Sequence, residues 1–235
     1  MKFETNSNGI IKRNEPRVVG IFIDGVELDR ATRRINKKID MKALLKNLSL
    51  GLEPAVVRYY TLIPFEDDSR HRAYLDAIEN AGFQVVVKRL PPKGVNRQVL
   101  VDTGMASDIV AFAFGYKNFY SINELSNNEK ASRKEESKNT IKINAIKKDV
   151  IKEEVKEEVK EEQKNEDSAL ISPNVKKVIN LVCPSKELTY AISLANTQNT
   201  ETITADFGTS KTNQDILKSA SKWIDLTDSE TIWRM

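Results

Sequence analysis

The chain has 235 residues, 40% hydrophobic and 30% charged, with a formal net charge of +3, enough to bury a sizeable core in one domain or two. A single cysteine, Cys183, rules out an internal disulfide framework and a CxxC zinc site. No run approaches the roughly 18 apolar residues that span a bilayer, and MKFETNSNGIIKRNEPR at the start lacks an apolar signal core, so a soluble cytoplasmic protein with no membrane contact is expected.

Residues 1–16 read as a flexible tail. Apolar, β-branched strands are then expected at 18–24, 55–61 (AVVRYYT) and 84–88 (QVVVK). Between them, MKALLKNLSLGL places Met41, Leu44, Leu45 and Leu48 at helical spacing. SRHRAYLDAIENAG does the same with Tyr74, Leu75 and Ile78 and ends on Gly82, a good helix stop. After RLPPKG, the stretch DTGMASDIVAFAFG predicts a helix with Asp102 as its N-cap and Gly115 closing it. Alternating strands and helices with short connections imply an α/β fold around a mostly parallel sheet.

The pattern breaks at 121–174, where aromatic residues vanish, apolar ones thin out and KEEVKEEVKEEQ repeats with period four. Lysines and glutamates then fall in adjacent helical columns, with weak i,i+3 pairs such as Glu153–Lys156. Ile151, Val155 and Val159 form a stripe that drifts by about 40° per repeat, too thin for a coiled coil. The segment reads as a charged low-complexity insert, disordered or a single helix. It serves as a solvated spacer or, alternatively, as a site for a protein partner. The alternation resumes with a strand over 178–182, a turn at Pro184–Ser185, and a helix carrying Leu188, Ile192 and Ala195. A strand at 202–205, a short helix and a last strand near Trp223–Leu226 follow. Residues 17–120 and 175–235 are therefore expected to form one domain.

Charge is uneven along the chain. Residues 1–120 carry 19 Lys/Arg against 14 Asp/Glu, whereas 121–174 carry 11 against 13 and 175–235 are balanced at 7 each. Part of the basic excess is the cluster Arg30, Arg33, Arg34, Lys37, Lys38, which permits polyanion binding but is equally what a solvated helix face looks like.

In open parallel sheets, sites form beyond the carboxyl ends of the strands, where strand order reverses. Asp24 ends the first strand there, and Pro184–Glu187 follow the strand ending near Cys183. The bland alternatives are a turn acid beside Gly25 for Asp24 and a helix cap for Asp102. Asp108 lies six residues beyond Asp102, about 120° around a helix, so it either approaches the site from the second turn or holds a neighbouring basic group. Several carboxylates with no histidine or cysteine companion suit a hard cation such as Mg²⁺ or Mn²⁺. Lys93 and Arg97, and Lys186, are candidates for holding substrate phosphates, with plain surface cations as the alternative. His71 reads as a surface histidine, Cys183 as a packed thiol, and Trp223 and Trp233 as packing residues. Ser185 lacks the GxSxG context of a hydrolase nucleophile.

These stretches resemble one family. VVGIFIDGVELD resembles the FIDGxNL motif of the NYN, or LabA-like, branch of the PIN-like nuclease superfamily. RYYTLIPFEDDSRHRAYLDAIENAGFQVVVKRL looks like its second strand and the helix and strand after it. KG followed by VDTGMASDIV is similar to its K-G…VD-x5-D segment, and INLVCPSKELTYAI takes the place of LVSGDSDFxPL. DILKSASKWIDL matches the closing helix and strand.

The resemblance implies a three-layer Rossmann-like PIN fold and divalent-metal endoribonuclease chemistry on RNA, with Asp24, Glu27, Asp102 and Glu187 on the metal and Asp108 assisting. Lys93, Arg97, Ser185 and Lys186 are then substrate-binding. Departures are plain: Glu27 replaces the motif's asparagine, Pro184 and Ser185 replace Gly-Asp, Glu187 replaces the second aspartate, and Asn96–Leu100 are additional. The alternative function is a catalytically degenerate module binding RNA or a protein partner in a regulatory role. A third reading makes the insert the working part of a scaffold. A homo-oligomer stays open.

Overall fold

The structure is a computed structural model that describes residues 16–66, 69–117, 171–208, 214–227, 229 and 231–234. Residues 1–15 of the expected tail and 121–170 of the insert expected over 121–174 lie outside those described. The chain divides into two units, 1–115 with 172–235 and 116–171, and the fold below is that of the first.

Six strands form one all-parallel sheet in the order β3-β2-β1-β4-β5-β6. They are β1 (Arg17–Asp24), β2 (Val56–Ile63), β3 (Gln84–Arg89), β4 (Lys176–Val182), β5 (Thr200–Asp206) and β6 (Lys222–Asp225). Among the described residues there are six α-helices: α1 (Gly25–Arg34), α2 (Met41–Leu48), α3 (Ser69–Glu79), α4 (Asp102–Ala113), α5 (Thr189–Asn196) and α6 (Gln214–Ser219). This is the α/β, Rossmann-like architecture expected. The chain builds outward from β1 to β3, then returns to β4 beside β1 and builds outward the other way. The β1–β4 boundary is therefore the point where strand order reverses.

Alternation along β1 shows why it sits at the centre. Val19, Ile21 and Ile23 join the core with Leu28 and Ala31 of α1 and Met41, Leu44 and Leu48 of α2. Phe22 faces the other way and meets Phe112 of α4 edge-on, with ring centroids 5.9 Å apart. Gly20 is on that same face, where a Cβ would press on the Phe112 ring, so α4 approaches the sheet closely there. Helices α1, α2 and α3 thus cover one face, and α4, α5 and α6 the other.

Three expectations need correction. Residues 25–34 carried no helix prediction, because only Leu28 and Ala31 are buried apolar side chains and the rest of the helix, the half-buried Val26 aside, is charged or small. Val101, not Asp102, is the N-cap of α4; Asp102 is its first residue and its side chain is engaged elsewhere. Trp223 is 43% exposed on the edge strand β6 rather than packed, whereas Trp233 stacks on Phe207 at 5.6 Å. Among the described residues no helix is long and apolar enough to cross a membrane.

Candidate active site

Asp24 is the last residue of β1 and the N-cap of α1. Its Oδ1 accepts the backbone N–H groups of Val26 and Glu27, each at 3.0 Å, which satisfies two donors that the first helical turn leaves unpaired. Gly25 is required between strand and helix. A Cβ there would fall far inside contact distance of the buried Tyr59 ring. The strand-to-helix joint is therefore a tight corner with one carboxylate at its apex.

That carboxylate is only 2% exposed. Burial first, then the charges of Asp102 and Glu27, push it up to about 6; the N–H bonds from Glu27 and Val26 oppose the rise. The charges of Asp102 and Glu27 thus act on Asp24 at the end of β1. No hydrogen bond among the described residues engages Asp24 Oδ2, and no ion pair there neutralises Asp24 or Asp102.

Asp102 is also buried. Instead of capping α4 it accepts a hydrogen bond at Oδ1 from the Ser185 hydroxyl, which arrives on the turn after β4. That turn is set by Cys183, a non-glycine residue at φ +50°, whose N–H donates to Ala205 O of β5 at 2.9 Å. The site thus draws Asp24 from the end of β1, Asp102 from the start of α4 and Ser185 from the end of β4, astride the reversal of strand order.

The remaining candidates lie differently. Glu27 is beside Asp24 but ion-paired to Arg30 one turn along α1. Asp108 is engaged: its Oδ2 accepts from Arg58 and, at 2.6 Å, from the Tyr60 hydroxyl, so it holds a neighbouring basic group, one of the two alternatives stated for it. Lys186 and Glu187 stand in solvent on a 3-10 turn, 3.9 Å from one another. Lys93 and Arg97 are exposed on the connection between β3 and α4 and make no ion pair among the described residues.

Sequence reasoning missed Asp206. It ends β5, is buried, and accepts from Phe207 N at 2.7 Å and from Cys183 Sγ at 3.5 Å. Burial, Asp206 and then Asp24 and Glu27 hold the Cys183 thiol well above its usual range, an unreactive state. The available signal was position alone: a second strand ending on an acid at the same edge.

Residues 18–122 match the NYN domain family, consistent with an NYN domain of the PIN-like superfamily. The match takes in Asp24, Glu27, Asp102 and Asp108 and stops short of Ser185 and Glu187. No curated protein matches the chain. In fold it resembles the crystal structure of a protein of unknown function from Vibrio parahaemolyticus, at a TM-score of 0.55 and 11% identity. The comparison covers 95% of this chain and 99% of that one.

Proposed function

We propose that a chain whose residues 18–122 match the NYN domain, and so suggest a nuclease-like superfamily member, is a divalent-metal-dependent endoribonuclease with a reduced acidic site. The observation that carries this reading is that the buried Asp24 ends β1 while the Ser185 hydroxyl ties the buried Asp102 to the turn after the neighbouring β4, at the reversal of strand order. Among the described residues no group of three His, Cys, Asp or Glu is arranged to hold a metal. The pair still suits Mg²⁺ or Mn²⁺ in kind, because its donors are all oxygen and Mg²⁺ commonly takes only one or two carboxylates and keeps several waters. Asp24 and Asp102 would hold the ion, which when bound supplies water activation and neutralisation of phosphate charge.

The chain's own groups have separable tasks. The Ser185 hydroxyl fixes Asp102 Oδ1, and no hydrogen bond among the described residues engages Oδ2. The α1 N–H groups fix Asp24 Oδ1 in the same way. Below about pH 6 Asp24 holds a proton and the pair carries one negative charge fewer. Lys93 and Arg97, free of ion pairs among the described residues, are available to RNA phosphates.

The alternative is a metal-free regulatory module that binds RNA or a protein, and the Ser185 hydroxyl in place of a carboxylate favours it. RNA incubated with the purified chain in Mn²⁺ or in EDTA separates the two. Cleavage that needs Mn²⁺ and is lost in Asp24→Asn supports the nuclease; EDTA-insensitive binding without cleavage supports the module.

A further inference from the structure

A second feature lies on the opposite face of the sheet from α4. Helices α1 and α3 leave a groove between them containing two cavities of about 410 and 430 Å³ that share Asp29, Arg33 and Tyr74. One cavity opens at the carboxyl end of β2 against Thr61, Leu62 and Ile63. That strand neighbours β1, and Asp24 pairs with Tyr60 of β2. The other lies toward the far end of α1, with Leu28, Met41 and Ile78 as a buried apolar floor.

The rim of this second cavity is cationic. It holds Arg33, Lys37, Lys38 and Arg234 against the single acid Asp29. The C-terminal segment is laid against the α1–α2 connection to make this so: Arg234 N–H donates to Lys38 O at 2.8 Å, and Lys37 sits 4.8 Å over the Trp233 ring. None of the four cations forms an ion pair among the described residues. Arg33 lies nine residues beyond Asp24, about 14 Å along the helix. Between them stands Tyr74, 40% exposed, whose hydroxyl is tied to Tyr59 at 2.8 Å and to Asp29 at 3.3 Å, so its ring is held in place.

An apolar floor, one fixed aromatic ring and a rim with three more cations than acids match the two chemistries of a single nucleic-acid strand, flat bases and a phosphate backbone. A peptide of acidic residues would match the rim but not the floor. We infer that the α1–α3 groove binds the single-stranded RNA that flanks the acidic site, phosphates on Arg33, Lys37, Lys38 and Arg234 and a base against Tyr74. This rests on the ribonuclease reading for the strand's identity, while its test needs no cleavage.

The experiment is fluorescence anisotropy of a labelled single-stranded oligoribonucleotide with the full chain in EDTA, across a salt series. Arg33→Glu with Lys38→Glu changes two exposed side chains and leaves the core alone. The expected result is at least tenfold weaker binding and a salt dependence shallower by about 1.4 in log–log slope, the share of two phosphate contacts. Lys218→Glu on α6 serves as the charge control and leaves affinity within about twofold. Binding equal to wild type in the double variant overturns the groove, and so does an equal loss in the control. A poly-glutamate peptide that binds as tightly as RNA, with the same loss in the double variant, overturns RNA as the occupant. A chain that never cleaves RNA yet shows the groove-dependent loss keeps this inference and sinks only the catalytic reading.

Discussion

The Ser185 hydroxyl donates to Asp102 Oδ1, joining the turn after β4 to the first residue of α4 across 83 positions of sequence. In the resemblance drawn from the sequence, Ser185 takes the place of the motif's first aspartate, a position that lies beyond the matched residues 18–122. Ser185→Asp restores that aspartate's charge beside two acids that already repel one another. Without metal the variant is expected to melt lower, by about 1–2 kcal/mol of like-charge cost. Its Mn²⁺ affinity should rise roughly tenfold, about 1.4 kcal/mol. Differential scanning fluorimetry with and without Mn²⁺ reads both, and a variant indifferent to Mn²⁺ would count against the pocket.

Asp24 makes stability depend on pH with a defined sign. Its folded value of about 6 lies above the ordinary 3.8, so between those values the folded state binds more protons than the unfolded one. Stability therefore falls as pH rises from about 4 to about 6, by at most about 3 kcal/mol, and stays lower above. Asp24→Asn keeps a good helix cap and removes the charge. It should match wild type near pH 4 and exceed it by about 1–2 kcal/mol at pH 7.5 in urea unfolding.

Glu201 has the opposite sign. It bridges Lys222 of β6 and Lys176 of β4, and those bonds hold it down at about 2, below the usual 4.5. Its contribution is complete above about pH 4.5 and is lost as pH falls toward 2. Glu201→Gln is expected to flatten the acid limb of the same unfolding curve.

Gly25→Ala drives a methyl group into the Tyr59 ring. Overpacking of this kind costs about 1–3 kcal/mol and displaces the corner that presents Asp24. Chemical denaturation should show that loss together with weaker Mn²⁺ binding. An unchanged variant would mean that the corner relaxes without consequence.

Asp108 and Asp102 separate structure from chemistry. Asp108→Asn breaks the pair with the buried Arg58 and is expected to cost about 3 kcal/mol. Asp102→Asn should cost far less and abolish Mn²⁺ binding instead. Unfolding and calorimetry on both variants decide, and equal stability losses would contradict the division.

Much of this was legible in the sequence because buried parallel strands announce themselves as apolar runs, and β1, β2 and β4 needed no other cue. The edge where they end followed from topology. What escaped was set by tertiary contact. Helix α1 hides because its buried stripe is only Leu28 and Ala31, and Asp102 does not cap α4 because Val101 takes the N-cap position one residue earlier than the acid suggested. Asp108's partner Arg58 lies 50 residues earlier on β2, a pairing that no local pattern displays. Asp206 went unnoticed because the expected strand stopped at 205.

The most direct test is calorimetric titration of Mn²⁺ into the wild-type chain, Asp24→Asn, Asp102→Asn and the double variant at pH 7.5. A metal shared by the two acids predicts at least a tenfold loss of affinity in either single variant and little further loss in the double. Mn²⁺ binding unaffected by both single changes, or losses that simply add, would contradict a shared site.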